Sequence, residues 1–265
     1  MTPSQLVSFD AEQLRTDQES NDMNKDAVAL SAMADEAVSS APALYVVADT
    51  TRLAGLQGWI KRALDVTLCG LAILILSPLL GAIAFLVRRS SPGPVLFVQE
   101  RIGKDGVPFR FYKFRTMVHN SDDAIHRQFA AMFINGGEEQ EEEAPSGKVF
   151  KLTNDPRVTK IGRWLRKTSL DELPQLFNIL KGEMTIVGPR PPIAYELDHY
   201  SPWHHERLRV TPGLTGLWQV SGRSNVPFEE MVRLDIHYIN TWSLAEDARI
   251  ILKTVPVVLR GSGGY

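Results

Sequence analysis

Residues 64–87 read LDVTLCGLAILILSPLLGAIAFLV, with Lys61 and Arg62 before them and Arg88 and Arg89 after. About 20 consecutive apolar residues suffice for a helix to cross a bilayer, so this stretch demands burial in lipid or in protein. Two features bear on the path it takes. Basic residues mark cytoplasmic flanks, and here both flanks carry them, so charge gives no preferred direction of crossing. Ser77-Pro78 lies mid-segment, where proline removes one backbone hydrogen bond and bends a helix while serine satisfies a freed carbonyl. A single span and a bent helix that enters one leaflet and returns both fit these residues. In the second case Lys61, Arg62, Arg88 and Arg89 all stay at the headgroup layer, and Asp65 at the boundary pairs with Arg62 or a neighbouring cation.

The 265 residues, 44% hydrophobic and 23% charged, allow one sizeable core together with such a membrane element. A formal net charge of -2 excludes a globally basic nucleic-acid binder, and no nucleic-acid partner is expected. Acidic residues crowd the first fifty positions, leaving the remainder net basic. Residues 1–42 lack a sustained apolar period and read as a disordered tail, with no basic and then apolar opening of the kind a signal peptide has. Residues 43–47 suit a strand or a helical turn equally. Cys69 is the sole cysteine, which excludes an internal disulfide and a cysteine zinc site and is compatible with a reducing compartment. The expected division is a weakly ordered acidic tail at 1–55, a membrane element at 56–91 and a folded domain at 92–265.

In that domain, 95–99 and 109–114 read as strands joined by the turn signal Lys104-Asp105-Gly106, a hairpin carrying Arg101, Arg110, Lys113 and Arg115. Residues 119–134 suit an amphipathic helix, and 136–147 a solvated acidic loop. Basic residues at helical spacing then deliver Arg166 and Lys167 to Asp171-Glu172. Two adjacent carboxylates repel each other and need water or a shared cation. Ser169 and Glu172 fit an S-x-x-E capping box, but Pro174 then falls where regular backbone bonds are needed, so a helix start nearer Leu170 or Asp171 is easier to build. Downstream, Pro189, Pro191 and Pro192 stiffen the backbone around Arg190, and a guanidinium grips phosphate through two parallel bonds. The segment TPGLTGLWQVSGR, with Trp218, Gln219 and Arg223, reads either as nucleotide or sugar recognition or as a glycine-rich loop around a buried tryptophan. Residues 228–259 suit amphipathic helices lying on a membrane or packed on the domain. An acidic pair, several cations and a membrane element together indicate phosphate chemistry with one reactant in lipid.

From about Trp59 onward, the motifs KRALD, the Ser77-Pro78 break, SPGPVLFVQERIG, FYKFRTM, TNDPRVTKIGRWLRKTSLDELPQLFNILKGEM, VGPRP and TPGLTGLWQVSGR occur in that order. In them the chain resembles the bacterial sugar transferases, monotopic polyprenyl-phosphate phosphoglycosyl transferases of exopolysaccharide, capsule and O-antigen synthesis. The resemblance implies a mixed α/β, mostly helical fold: a re-entrant membrane helix broken at Ser77 and Pro78, and a small cytoplasmic catalytic domain with a short β-hairpin and amphipathic interfacial helices. It implies a place on the cytoplasmic face of the inner membrane and transfer of a sugar phosphate from a UDP-sugar to undecaprenyl phosphate, releasing UMP. Asp171 would be the nucleophile that forms a phosphosugar aspartate, and Glu172 would hold Mg²⁺. Arg190 and Arg166, with Lys113 and Arg115, would bind substrate phosphate, and Arg62 and Arg88 would face lipid headgroups. The sugar, an unmodified hexose being favoured, and the oligomeric state, a homodimer included, stay open. Two other readings compete: a transferase moving only the sugar, which commonly carries a D-x-D motif absent here, and an anchored assembly protein whose acidic pair caps a helix.

Overall fold

The apolar segment forms one long helix, α1 (Leu56–Ser90), in a computed structural model that describes residues 50, 53, 55–119, 124–135, 157–221 and 226–259. Residues 1–49, which hold most of the expected acidic tail and the stretch 43–47, the acidic loop at 136–147 and Arg223 lie outside the described residues. The helix continues through Pro78. The proline leaves the Leu74 carbonyl, four residues back, without its usual partner. The Ser77 hydroxyl donates to that same carbonyl at 2.8 Å. The helix therefore runs on where the sequence predicts a break.

Beyond α1 the chain folds as expected into an antiparallel hairpin, β1 (Leu96–Ile102) and β2 (Pro108–Phe114), each strand reaching further toward the turn than the sequence signals. Asp105 and Gly106 turn the chain at φ 55 and 78. Helix α2 (Ala124–Ile134) begins later than the predicted 119. Next come α3 (Lys160–Lys167), a 3-10 turn (Leu170–Glu172), α4 (Gln175–Lys181) and β3 (Thr185–Val187). Two further 3-10 segments, Ala194–His199 and Pro202–Arg209, lead to β4 (Gly213–Thr215), which pairs in parallel with β3. Three helices finish the described chain: α5 (Leu217–Ser221), α6 (Phe228–Thr241) and α7 (Leu244–Leu259).

The domain holds α1 along most of its length. Cys69, with Ala72 and Ile73, packs into a cluster with Phe109, Phe111, Leu176, Ile179 and Met184. One half-helix further, Ile83 and Val87 pack on Phe114 and Leu165. Leu68, Leu71, Leu74, Ile75 and Leu79 remain exposed, an apolar face on a helix that is long and apolar enough to cross a membrane. Polar contacts pin both flanks. At the first, Lys61 reaches Asp247 of α7 at 2.6 Å and Asp65 at 3.9 Å, so Asp65 pairs with Lys61. Arg62, expected at the headgroups, instead donates to the Ile179 and Leu180 carbonyls at 2.6 and 3.0 Å, capping the C-terminal end of α4. Gly182 ends that helix at φ 86, a conformation that favours glycine. At the second flank Arg88 donates to Gly93 O at 2.8 Å and stays exposed.

The C-terminal helices divide the two options for 228–259 between them. Helix α6 is core: Phe228, Met231, Val232, Leu234, Ile236, Tyr238 and Ile239 are all buried, which corrects the expectation of an interfacial helix there. Helix α7 buries Ile250 but exposes Leu252, Val255 and Val258. Trp218 is buried in the same core as α6, which favours the reading of its loop as packing.

Candidate active site

Helix α3 is capped by Thr159, whose side chain accepts from Gly162 N at 3.0 Å, and ends on Arg166 and Lys167. The chain then turns sharply at Ser169, which has φ 55, so this residue does not act as an N-cap and makes no capping hydrogen bond. Asp171 and Glu172 occupy the 3-10 turn that follows, and Pro174 takes the N-cap position of α4. The proline thus separates the acidic pair from the regular helix, as its missing N–H requires.

Lys113, projecting from β2, lies 2.7 Å from Glu172 Oε1 and 3.9 Å from Asp171 Oδ2, so one ammonium is shared by both carboxylates. Asp171 is buried, whereas the Glu172 side chain keeps about a quarter of its surface. Their acidities diverge accordingly. Burial pushes Asp171 up to about 6; Lys113 and Arg166 oppose that and Glu172 adds to it. Burial would raise Glu172 too, but Lys113, Arg190 and Arg101 outweigh it and hold Glu172 below the usual carboxylate range. Arg166 donates through Nε to Thr116 Oγ1 at 2.9 Å beside this turn.

Arg190 sits half-buried in the loop after β3, and the prolines are only part of its mount. Successive carbonyls of the loop are each held: Pro189 O by Gly213 N at 2.8 Å, Arg190 O by Arg207 at 3.3 Å, Pro191 O by Arg101 at 2.6 Å and Pro192 O by Ile102 N at 2.9 Å. Arg207 is itself fully buried on Asp235 of α6 and donates to the Tyr200 hydroxyl at 3.1 Å. Arg101 is buried, lies over the Phe111 ring at 4.9 Å, and is pushed down to about 10 by burial and by Arg190.

The structure therefore brings Asp171, Glu172, Lys113, Arg166 and Arg190 into one electrostatic cluster, and adds Arg101. The sequence shows Arg101 only as one of four hairpin cations, and Arg207 as one residue in a basic run; nothing local separates them from surface arginines. Arg115 is placed elsewhere, which corrects its assignment to substrate phosphate. Its buried guanidinium donates to the carbonyls of Val87, Ser91 and Pro94 and so closes the C-terminal end of α1. Gly93, at φ 120, leaves no room for a Cβ beside that guanidinium. A cavity of about 170 Å³ at the start of α1, lined by Lys61, Arg62, Asp65, Lys104, Thr185 and Arg209 among others, includes none of the clustered residues. Most of its cations are already engaged: Lys61 is paired with Asp247, Arg209 with Glu206 at 3.0 Å, and Arg62 donates to the α4 carbonyls.

Residues 56–261 match the family described as bacterial sugar transferase, and the chain belongs to that family. It is 42% identical over 227 residues to the exopolysaccharide production protein ExoY of Sinorhizobium fredii, covering 86% of this chain and 97% of the relative. It is 44% identical over 207 residues to the undecaprenyl-phosphate galactose phosphotransferase of Salmonella typhimurium, covering 78% of this chain and 42% of the relative. It is also 39% identical over 213 residues to the UDP-glucose:undecaprenyl-phosphate glucose-1-phosphate transferase of Escherichia coli K12, covering 77% and 41% respectively. The chain thus spans about two fifths of the length of the last two proteins and nearly all of the first.

Proposed function

We propose that this protein transfers a sugar 1-phosphate from a UDP-sugar to undecaprenyl phosphate, the first membrane step of exopolysaccharide, capsule or O-antigen synthesis. The observation that carries this reading is the buried Asp171 beside an ionised Glu172, both on Lys113 and ringed by Arg166, Arg190 and Arg101. A carboxylate approaches a diphosphate only when the negative charges are screened, and the cations do that here. An Asp171 oxygen attacks the sugar-bearing phosphorus. The bond from that phosphorus to the bridging oxygen breaks, and UMP leaves with that oxygen. A phosphate oxygen of undecaprenyl phosphate then attacks the same phosphorus, the bond to Asp171 breaks, and the lipid diphosphate sugar is released with the carboxylate restored. Relatives named for galactose and for glucose support a hexose as the sugar.

Mg²⁺ fits this donor set. Asp171 and Glu172 are adjacent oxygen donors on one turn, Glu172 is open on one side, and Mg²⁺ needs few protein ligands because it keeps waters and takes substrate phosphate oxygens as others. Glu172 would hold it, and when bound it supplies charge neutralisation for the diphosphate.

The anchor is best read as re-entrant, on the cytoplasmic face of the inner membrane. A straight helix of 35 residues is about 52 Å long, against a hydrocarbon core of about 30 Å. Contacts from one folded domain to both Arg62 and Val87 support flanks on one side of the bilayer, because a span would carry them to opposite sides. With cysteines near residues 50 and 92 in a Cys69→Ser background, an impermeant thiol reagent on intact spheroplasts should label neither. Labelling near residue 50 would mean that the helix crosses.

The reaction itself is tested with labelled UDP-sugars supplied without lipid acceptor. Sugar phosphate should appear on the wild-type protein by mass spectrometry after rapid quench, with UMP released. UDP in place of UMP would mean that only the sugar moves.

A further inference from the structure

The active-site turn holds one polar side chain that the reaction above leaves unused. Gln175 follows Asp171 by four residues and Glu172 by three, and the backbone between them is helical at Leu173 and Pro174. Side chains three and four apart on such a backbone share a face. That face is turned to β2. At one end Glu172 meets Lys113, and at the other Asn178 accepts from Tyr112 N at 3.2 Å and donates to Arg110 O at 2.6 Å. Gln175 lies in the row between them, only 2% exposed, and its Nε2 is buried with no hydrogen-bond partner.

That condition is costly. A buried donor without a partner gives up its bond to water and gains none in return, and an apolar side chain of the same length would avoid the loss. Joining α4 to β2 does not require Gln175, since Asn178, wholly buried, already bonds to β2 on both sides of its amide and donates to Glu183 at 2.6 Å as well. We propose that Gln175 is a catalytic residue whose Nε2 donates to a non-bridging oxygen of the phosphate attacked by Asp171. The inference rests on the phosphate-transfer reading and adds to it a neutral donor. The arginines and Lys113 attract the diphosphate as soon as it binds, so they act on binding and reaction alike. A buried amide gains most when charge builds on the phosphoryl oxygens during attack, so it acts chiefly on the rate of the chemical step.

The test uses the full chain in detergent or lipid nanodiscs, with Gln175→Met and, as a second apolar variant, Gln175→Leu. Single-turnover formation of the sugar-phosphate adduct should slow by about 10²-fold, the usual loss for one preorganised donor, while the KM for UDP-sugar changes by less than about threefold. Without substrate, at least one variant should unfold at or above the wild-type temperature, because the orphaned donor is gone. Adduct formation at the wild-type rate in a folded variant would overturn the proposal. So would a slow rate accompanied by a lower unfolding temperature in both variants, which is the mark of a packing residue. A wild-type protein forming neither adduct nor UMP would instead remove the phosphate-transfer reading, and Gln175's role with it.

Discussion

Two clusters in this protein are built from the same parts. In each, one lysine lies between two carboxylates, at 2.6 and 3.9 Å for Lys61 with Asp247 and Asp65, and at 2.7 and 3.9 Å for Lys113 with Glu172 and Asp171. They differ in what surrounds them. Around Lys61 neutral donors complete the carboxylates: Tyr238 and Trp242 reach Asp247 Oδ1 at 2.7 and 3.2 Å, and the Thr185 hydroxyl donates to Asp65. All three ionic side chains there are less than a tenth exposed. Around Lys113 the neighbours are further cations, Arg166, Arg190 and Arg101, and Glu172 is open on one side. The first cluster is completed by neutral donors, with one lysine for two carboxylates, and fixes the start of α1 to α6 and α7. The second gathers cations beyond what its own two carboxylates need, which suits an anionic ligand. A Lys–carboxylate pair in a structure therefore says little until its remaining neighbours are counted.

The largest expected effect separates the clusters by one substitution made in each. Asp171→Asn should lower turnover by at least about a thousandfold, since an amide cannot attack phosphorus. It should also stabilise the fold at pH 7. Asp171 is raised from its ordinary 3.8 to about 6, so between those values the folded state keeps a proton that the unfolded chain has released, and wild-type stability falls as pH rises through that window. The variant should lose that slope when unfolding is followed from pH 4 to 7 in metal-free buffer. Asp247→Asn should do the reverse. It leaves Lys61 buried with its close partner removed, a change that costs about 3 kcal/mol or more, while the folded fraction keeps its adduct-forming chemistry. If both variants shifted stability in the same direction, the contrast between an open and a closed cluster would fail.

A smaller effect tests whether the shape of the surplus cations matters. Arg190→Lys keeps the charge and the mount, since the loop is held through its carbonyls, but replaces a two-pronged donor by a point charge. Steady-state UMP release should give a kcat/KM lower by about 10- to 100-fold. Unchanged kinetics would place Arg190 outside the substrate site.

Much of this was legible in local pattern. The apolar run announces α1, the Lys104-Asp105-Gly106 signal announces the hairpin turn, and Pro174 beside Asp171-Glu172 announces that the acidic pair stands apart from the regular helix. Each of those inferences needs only residues within a turn or two of one another. Arg62, Arg101 and Arg115 defeat the same method. In sequence Arg62 reads as a headgroup cation, Arg101 as one hairpin cation among four and Arg115 as a phosphate ligand, yet the first caps α4 from 117 residues away, the second pins the Arg190 loop from 90 residues away, and the third closes the end of α1. A charged side chain is recognised as structural only by the carbonyls it meets, and those carbonyls carry no residue-specific signal in sequence.

The amino-acid sequence by itself determined that the chain has one long apolar segment with two basic flanks and a central Ser-Pro pair, and that an acidic dyad follows a basic helix, because periodicity, proline geometry and charge order are local properties. Only the tertiary structure decided which cations serve the dyad and which serve the fold. It set Lys113 on the acidic pair from 59 residues away, held the loop of Arg190 by its carbonyls, joined Lys61 to Asp247 across 186 residues, and left the Gln175 amide buried without a partner. Those choices depend on which backbone groups and burial sites meet in space, and long-range packing alone brings them together.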